Sequence, residues 1–305
     1  MRNELSVAWR DVRKSFGRRA ALDRFTLEAG PGIHCLLGDN GAGKSTAFAV
    51  LTGARRPDAG DVLVGGERVR RGGATARLIG SAPQSLSYPP TVRVREVVDY
   101  VAAHYAAPAP TAAILDRVGL TALARRSCGG LSGGEARRLA LACALVGDTP
   151  VVVLDEPSAG LDRSGQGELR EIIRGLGSAG RIVLLASHDL ADVEALADRV
   201  WVVAAGRVVL GTDPDDITRR LGTRRIRFPI ARAVGWKPVA VRVDPEAVVS
   251  EAAGTAIIST TRADAVAREL LGVDGLADLT IERPTLGEAI DQLALATRDA
   301  TDAPA

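Results

Sequence analysis

Eight consecutive residues, Gly38-Asp39-Asn40-Gly41-Ala42-Gly43-Lys44-Ser45, have the spacing GxxxxGK[ST], and Thr46 follows them. Glycines at this spacing let successive backbone N–H groups turn inward, cradling phosphate oxygens at the positive end of the helix that follows. Lys44 adds a compact, mobile charge for β- and γ-phosphates, and the Ser45 hydroxyl is a ligand suited to Mg²⁺. The only other lysines are Lys14 and Lys237, the remaining cations being arginines. A point charge suits this position better than a planar fork. Far along the chain, the apolar run Val151-Val152-Val153-Leu154 ends in Asp155-Glu156. Asp155 at a strand's carboxyl end can hold Mg²⁺ through water, and Glu156 can polarise an attacking water. An acid in such a place is by itself more often a cap or turn residue. Paired with the phosphate loop, it reads as the second half of a nucleotide-hydrolysing site.

These residues need a scaffold, and the hydrophobic pattern supplies one. The first ~35 residues alternate apolar and polar positions (Leu5, Val7, Trp9; Ala21, Phe25, Leu27), which predicts antiparallel strands. Ile33 to Leu37 is a continuous apolar run ending at Gly38, the signature of a strand buried on both faces, and a helix over Ser45 to Leu51 follows the loop. Val151 to Leu154 and Ile182 to Ala186 are further buried strands, each followed by helical pattern, so a mostly parallel α/β sheet is expected. Between Ser85 and about Val146 the segments Val94 to Tyr105, Thr111 to Val118 and Gly133 to Val146 read as helices, which predicts a helical subdomain inserted at about 85–146. After Asp213-Pro214 comes a short helix. A small second domain then has expected strands Arg224 to Ile230, Val239 to Val243, Ala256 to Ser259 and Leu279 to Glu282, with helices Arg262 to Leu271 and Leu286 to Ala296. The boundaries expected are 1–216, 217–298 and a frayed tail of 299–305.

Leu131-Ser132-Gly133-Gly134-Glu135, upstream of the Asp155-Glu156 strand, resembles the signature motif of the ABC ATPases. Its physical logic is a second anion site, a hydroxyl and glycine N–H groups at a helix N-terminus. Other stations of that family match in order. Phe16 resembles the aromatic that stacks on adenine, and Gln84 the glutamine that touches Mg²⁺ and the attacking water. Ser158-Ala159-Gly160-Leu161-Asp162 resembles the loop that couples the two sites of a dimer, and His188 resembles the switch histidine that senses the γ-phosphate. The resemblance covers roughly residues 3 to 216. It implies a P-loop NTPase core of α/β class with an antiparallel β-subdomain, an inserted helical subdomain and a small C-terminal α/β domain. The site residues implied are Glu156, His188 and Gln84 for catalysis, Ser45, Gln84 and Asp155 for the metal, and Phe16, 38–46, Ser132, Gly133, Gly134, Glu135 and Asp162 for ATP.

Two positions depart from the family pattern: Asp39 stands where proline is usual, and Glu135 where glutamine is. A carboxylate facing phosphates is unfavourable, so Asp39 is expected to point outward. Pro284-Thr285-Leu286-Gly287-Glu288-Ala289-Ile290 resembles the closing helix of drug-export and related ABC-2-type cassettes, with Ile290 in place of an aromatic. The resemblance therefore implies ATP and Mg²⁺ as ligands, a second cassette as partner and a separately encoded membrane permease. The apolar stretch with Tyr88, Pro89, Pro90 and Val92 lies within the permease-facing surface Leu86 to Tyr105.

Composition narrows the alternatives. A formal net charge of +2 gives no global attraction to nucleic acid. With one cassette and no heptad run, a soluble ABC ATPase acting on nucleic acid or the ribosome is the weaker reading. Cys35, Cys128 and Cys143 form no CxxC pair and fit a reducing cytoplasm. No apolar run approaches the ~20 residues of a membrane helix, and none at the start reads as a signal peptide. The expected location is the cytoplasmic face of the membrane, held there by the permease. His34 and His104 lack motif context and read as structural.

Overall fold

A computed structural model describes residues 5–214, 216, 224–230, 233, 235–252 and 254–282. The chain divides into two compact units, Met1–Thr212 and Asp213–Ala305. In the first, β1 (Val7–Phe16), β2 (Arg19–Ala29), β4 (Ala59–Val64) and β5 (Glu67–Arg68) form an antiparallel sheet in the order β2-β1-β4-β5. A second sheet has the order β10-β9-β3-β8-β7-β6, from β3 (Gly32–Leu37), β6 (Ile79–Ala82), β7 (Val151–Asp155), β8 (Ile182–Ser187), β9 (Arg199–Ala204) and β10 (Arg207–Thr212). Its inner strands are parallel and β10 is an antiparallel edge. Every residue of β7 and β8 is buried, as their unbroken apolar sequences require.

The helices are α1 (Lys44–Leu51), α2 (Val94–Ala102), α3 (Thr111–Arg117), α4 (Gly133–Leu145), α5 (Arg163–Ser178) and α6 (Leu190–Leu196). The core joins both sheets to α1: Trp9, Phe25 and Val62 pack in one buried cluster with Phe48, Leu51, Val153 and Leu184. Trp9 lies edge-on to Phe25 at 5.8 Å between centroids and donates its indole N–H to Ala47 O at 3.1 Å. A buried indole is thus satisfied by the helix that carries the phosphate loop. The loop strand is pressed equally hard against the sheet. A Cβ on Gly38 would lie 2.2 Å from Val203 O, so only glycine fits.

The second unit has a sheet of order β12-β13-β11-β14, from β11 (Arg224–Pro229), β12 (Val248–Ala252), β13 (Thr255–Thr260) and β14 (Thr280–Glu282), all antiparallel. Phe228 meets Trp236 edge-on at 5.2 Å inside its core. One expectation is corrected here: 239–243 is not a strand but the end of a helix, Trp236–Val243. The alternating Val239, Val241 and Val243 imitate a strand. Yet Trp236 and Ala240 are buried, with Val239 and Val243 packed beside them, and that is helical spacing. Pro238 falls in the first turn, where a missing N–H costs nothing, whereas a ladder would lose a bond. Strand β12 was not anticipated. The expected helix Leu286 to Ala296, the motif at 284–290 and most of the short helix after Pro214 lie outside the described residues. Among the described residues no helix is long and apolar enough to cross a membrane.

Candidate active site

The phosphate loop runs from β3 into α1. Gly41 and Gly43 adopt φ of 86° and 114°, and a Cβ on Gly43 would lie 2.5 Å from Ala21 O. Gly206 N donates to Ala42 O at 2.9 Å, fixing the loop against the β9–β10 turn. The first turn of α1 has neither a side-chain cap nor an acidic residue, leaving its positive end for an anion. The Lys44 ammonium is buried and donates to the carbonyls of Gly38 and, at 3.2 Å, Asp39. Asp39 itself is exposed, as are Asn40, Gly41 and Ser45, while Ala42 is buried and Thr46 half-buried.

Asp155, at the end of β7, is buried, and burial pushes its carboxyl group above the usual carboxylate range. A hydrogen bond from Ser45 opposes that shift, and the neighbouring Glu156 adds to it. Asp155 Oδ1 has no hydrogen-bond partner in the protein. An orphaned carboxylate oxygen beside a serine hydroxyl is a hard-oxygen donor set that fits Mg²⁺. Glu156 takes φ = 52°, a conformation unusual for a non-glycine residue, and its N–H bonds Ala186 O at 3.0 Å. That turn aims its buried carboxylate at His188 Nδ1, 2.8 Å away. An ionised carboxylate only accepts, so Nδ1 carries the hydrogen.

A cleft of about 470 Å³ runs from Phe16 along Asn40, Gly41 and 43–46 to Gln84 and Glu156. Phe16 is 47% exposed at the β1–β2 turn, with Lys14 Nζ and Arg55 5.8 and 5.9 Å from its ring centroid. Arg19, which no motif announces, lines the same cleft and donates to Gly41 O at 3.1 Å. Arg137 was also missed: its Nη1 donates to the Gln84 carbonyl at 2.7 Å. Tyr88 turns inward and is half-buried, its hydroxyl 3.9 Å from Cys143 Sγ and its phenol pushed up by burial, so it packs mainly against the helical region. Leu86 (44% exposed) and Tyr100 (70%) are the large apolar groups that do face outward there.

Ser132 to Glu135 do not line that cleft. They build the N-terminus of α4 as a capping box: Ser132 Oγ accepts from Glu135 N at 3.2 Å, and Glu135 Oε2 accepts from Ser132 N at 2.6 Å. The Ser132 hydrogen bonds hold the Glu135 carboxyl below the usual range, aided by Arg126, whose Nη1 lies 3.4 Å from Oε1. Ser132 and Gly133 are exposed, and Gly134 is half-buried with Leu161 beside it. Asp162 caps α5, its Oδ1 accepting from Gly165 N at 2.9 Å, and is likewise outside the cleft.

Fold and site together define a phosphate-loop nucleotide hydrolase of mixed α/β architecture. The family model described as "ABC transporter" matches residues 23–159. The chain is 34% identical over 290 residues to the daunorubicin resistance ATP-binding protein DrrA3 of Streptomyces coeruleorubidus, spanning 90% of this chain and 91% of the relative. It is 32% identical over 247 residues to the Nod factor export ATP-binding protein I of Paraburkholderia xenovorans (strain LB400), spanning 78% and 80%. A dimeric ATP-binding cassette solved in a post-hydrolysis state with ADP and Pi shares the fold, with a TM-score of 0.63 at 22% identity over 68% of this chain and 98% of that one. The chain belongs to the ATP-binding cassette family of ABC transporters and is an ATPase.

Proposed function

We propose that the chain is the energising subunit of a two-component exporter. Two cassettes pair head to tail, each ATP lying between residues 38–46 of one chain and Ser132 to Glu135 of the other. The observation that carries this reading is a split site: Lys44, Ser45, Gln84 and Glu156 line one cleft, and the exposed start of α4 lies outside it. Phe16 stacks on adenine. Lys44 leaves the carbonyls of Gly38 and Asp39 to meet the β- and γ-phosphates. Ser45, Asp155 and Gln84 would hold Mg²⁺, which would supply positive charge to offset that of the phosphates. Glu156 accepts the proton of the attacking water, and His188, hydrogen-bonded to that carboxylate, keeps it aimed and senses the γ-phosphate. Asp162 braces the turn next to Gly134, linking the two sites of the dimer.

The relatives' names, daunorubicin resistance and Nod factor export, support an export direction. The permease is a separate chain whose cytoplasmic helix meets the surface carrying Leu86 and Tyr100, which places this subunit on the cytoplasmic face of the membrane. The unit 213–305 is an accessory domain, dispensable for nucleotide binding. Glu156→Gln tests the chemistry: MgATP affinity is retained while turnover falls at least roughly 10²-fold. Hydrolysis at the wild-type rate in that variant would remove Glu156 as the base. Cysteine at Leu86, cross-linked in membranes, is expected to capture an integral membrane protein, and capture of ribosomal protein would overturn the transporter reading.

A further inference from the structure

Arg137 has no part in the reading above, yet it joins two of its components. It lies on α4, five residues beyond Ser132, and is half-buried. Its guanidinium reaches across to the main chain of the Gln84 turn, donating from Nη1 to the Gln84 carbonyl at 2.7 Å. The acceptor is backbone, so the link survives whatever the Gln84 side chain does and reports only where the turn is.

The far end of α4 is anchored to the strand that leads into the same turn. A Cβ on Gly80 would lie 1.9 Å from Ala144 O, so β6 and α4 touch backbone to backbone there. Tyr105 adds a second tie nearby, its hydroxyl donating to Ile79 O at 3.0 Å. With Ala144 as pivot, Arg137 stands about 10 Å and Ser132 about 18 Å along the helix axis at 1.5 Å per residue. A small shift of the Gln84 carbonyl, followed by Arg137, is enlarged about 1.7-fold at Ser132 by that ratio.

We propose that Arg137 is a positioning residue, a strut that makes the start of α4 follow the Gln84 turn. It rests on the assignment of Gln84 to the nucleotide site and of Ser132 to the partner's site. Contact with nucleotide in a chain's own cleft thereby sets the orientation of the Ser132 region that serves the opposite cleft. The strut couples the two half-sites within one chain.

Hydrogen exchange of the full chain, with and without MgATP and at concentrations too low for pairing, tests this. In the wild type MgATP slows exchange in 38–46 and changes it in 131–139. In Arg137→Ala the first response persists with ATP affinity within about twofold, the second is lost, and turnover falls roughly tenfold, as coupling energies of this kind allow. Arg137→Lys, which keeps a cationic N–H donor on a shorter side chain, retains part of the second response. An unchanged 131–139 response in Arg137→Ala overturns the strut. So does loss of both responses, which would make Arg137 a plain structural residue, and so does a wild-type 131–139 segment indifferent to MgATP. Gln84→Ala separates this from the assignment beneath it. That variant keeps the carbonyl and loses the nucleotide contact, so it is expected to lose the 131–139 response while keeping the strut. If Gln84→Ala behaves as wild type, the Gln84 assignment fails and the strut with it; if only Arg137→Ala does, the strut alone fails.

Discussion

The phosphate loop and the start of α4 are both glycine-rich turns into a helix, and they are built in opposite ways. The loop is held from outside: Gly38 is pressed on Val203 O, Gly43 on Ala21 O, and Gly206 N grips Ala42 O. The start of α1 has no side-chain cap, so its N–H groups are kept for a ligand. The start of α4 is exposed and caps itself through Ser132 and Glu135. One turn is preorganised by its surroundings, at the expense of a helix cap. The other is stable alone and must be brought to its target. A phosphate cradle formed within one chain needs the first design, and the second suits a group that is delivered to another chain, as proposed above for Ser132.

Single substitutions should expose that asymmetry. Lys44→Ala removes a charge-assisted phosphate contact and is expected to weaken ATP binding by roughly 10- to 100-fold, given about 1.5–3 kcal/mol for hydrogen bonds to charged groups. Ser132→Ala, by contrast, should leave the affinity of the lone chain unchanged and abolish MgATP-dependent pairing. Calorimetry and light scattering in the Glu156→Gln background measure the two quantities. Equal losses of affinity in both variants would mean that Ser132 belongs to its own chain's cleft.

Next in size is a packing effect. Gly80→Ala places a methyl where Ala144 O already sits, forcing backbone apart. A loss of about 1–3 kcal/mol is expected, as for other overpacked interiors. Gly133→Ala, where an added Cβ meets nothing within 4 Å, should be close to neutral in stability. Urea melts of the two variants rank the constraint on each turn, and a Gly133→Ala loss as large as that of Gly80→Ala would erase the contrast.

The comparison also explains what the sequence could reveal. The phosphate loop, Asp155, Glu156, His188 and the Ser132 turn are legible as candidates because their residue types fall in local patterns, namely a strand end, a tight turn and a helix start, even though distant contacts fix the loop's final geometry. Arg19, Arg137 and the inward turn of Tyr88 depend on contacts 22, 53 and 55 residues away, which leave no period and no motif. The helix Trp236–Val243 was hidden for a different reason. Its three alternating valines satisfy a strand template, and only the burial of Trp236 and Ala240 decides between the two. Asp39 is exposed and does not line the cleft, a placement consistent with the repulsion between phosphates and a carboxylate.

The smallest expected effect concerns the strand that delivers the loop. His34, in β3, is buried and pinned at both nitrogens: Trp201 Nε1 donates to Nδ1 at 3.3 Å, and Nε2 faces Gly30 O at 2.9 Å. Nδ1 is therefore the acceptor and Nε2 carries the hydrogen. Burial, aided by the Arg199 charge, lowers the imidazole pKa below its usual 6.5, with the Gly30 carbonyl and Asp198 pulling the other way. Because the folded state resists the proton, the unfolded chain binds more of it below about pH 6.5. Stability from this group is thus complete above that pH and declines as pH falls toward the lowered folded value. Protonation sets an Nδ1–H against the indole N–H and loosens the base of the phosphate loop, while the self-capped start of α4 has no such dependence. Urea melts from pH 8 to 5 should show the wild type losing more stability on acidification than His34→Gln, which cannot titrate. Hydrogen exchange at pH 5.5 should rise in 32–37 before it rises in 131–139, and simultaneous loosening of both segments would remove His34 from the account.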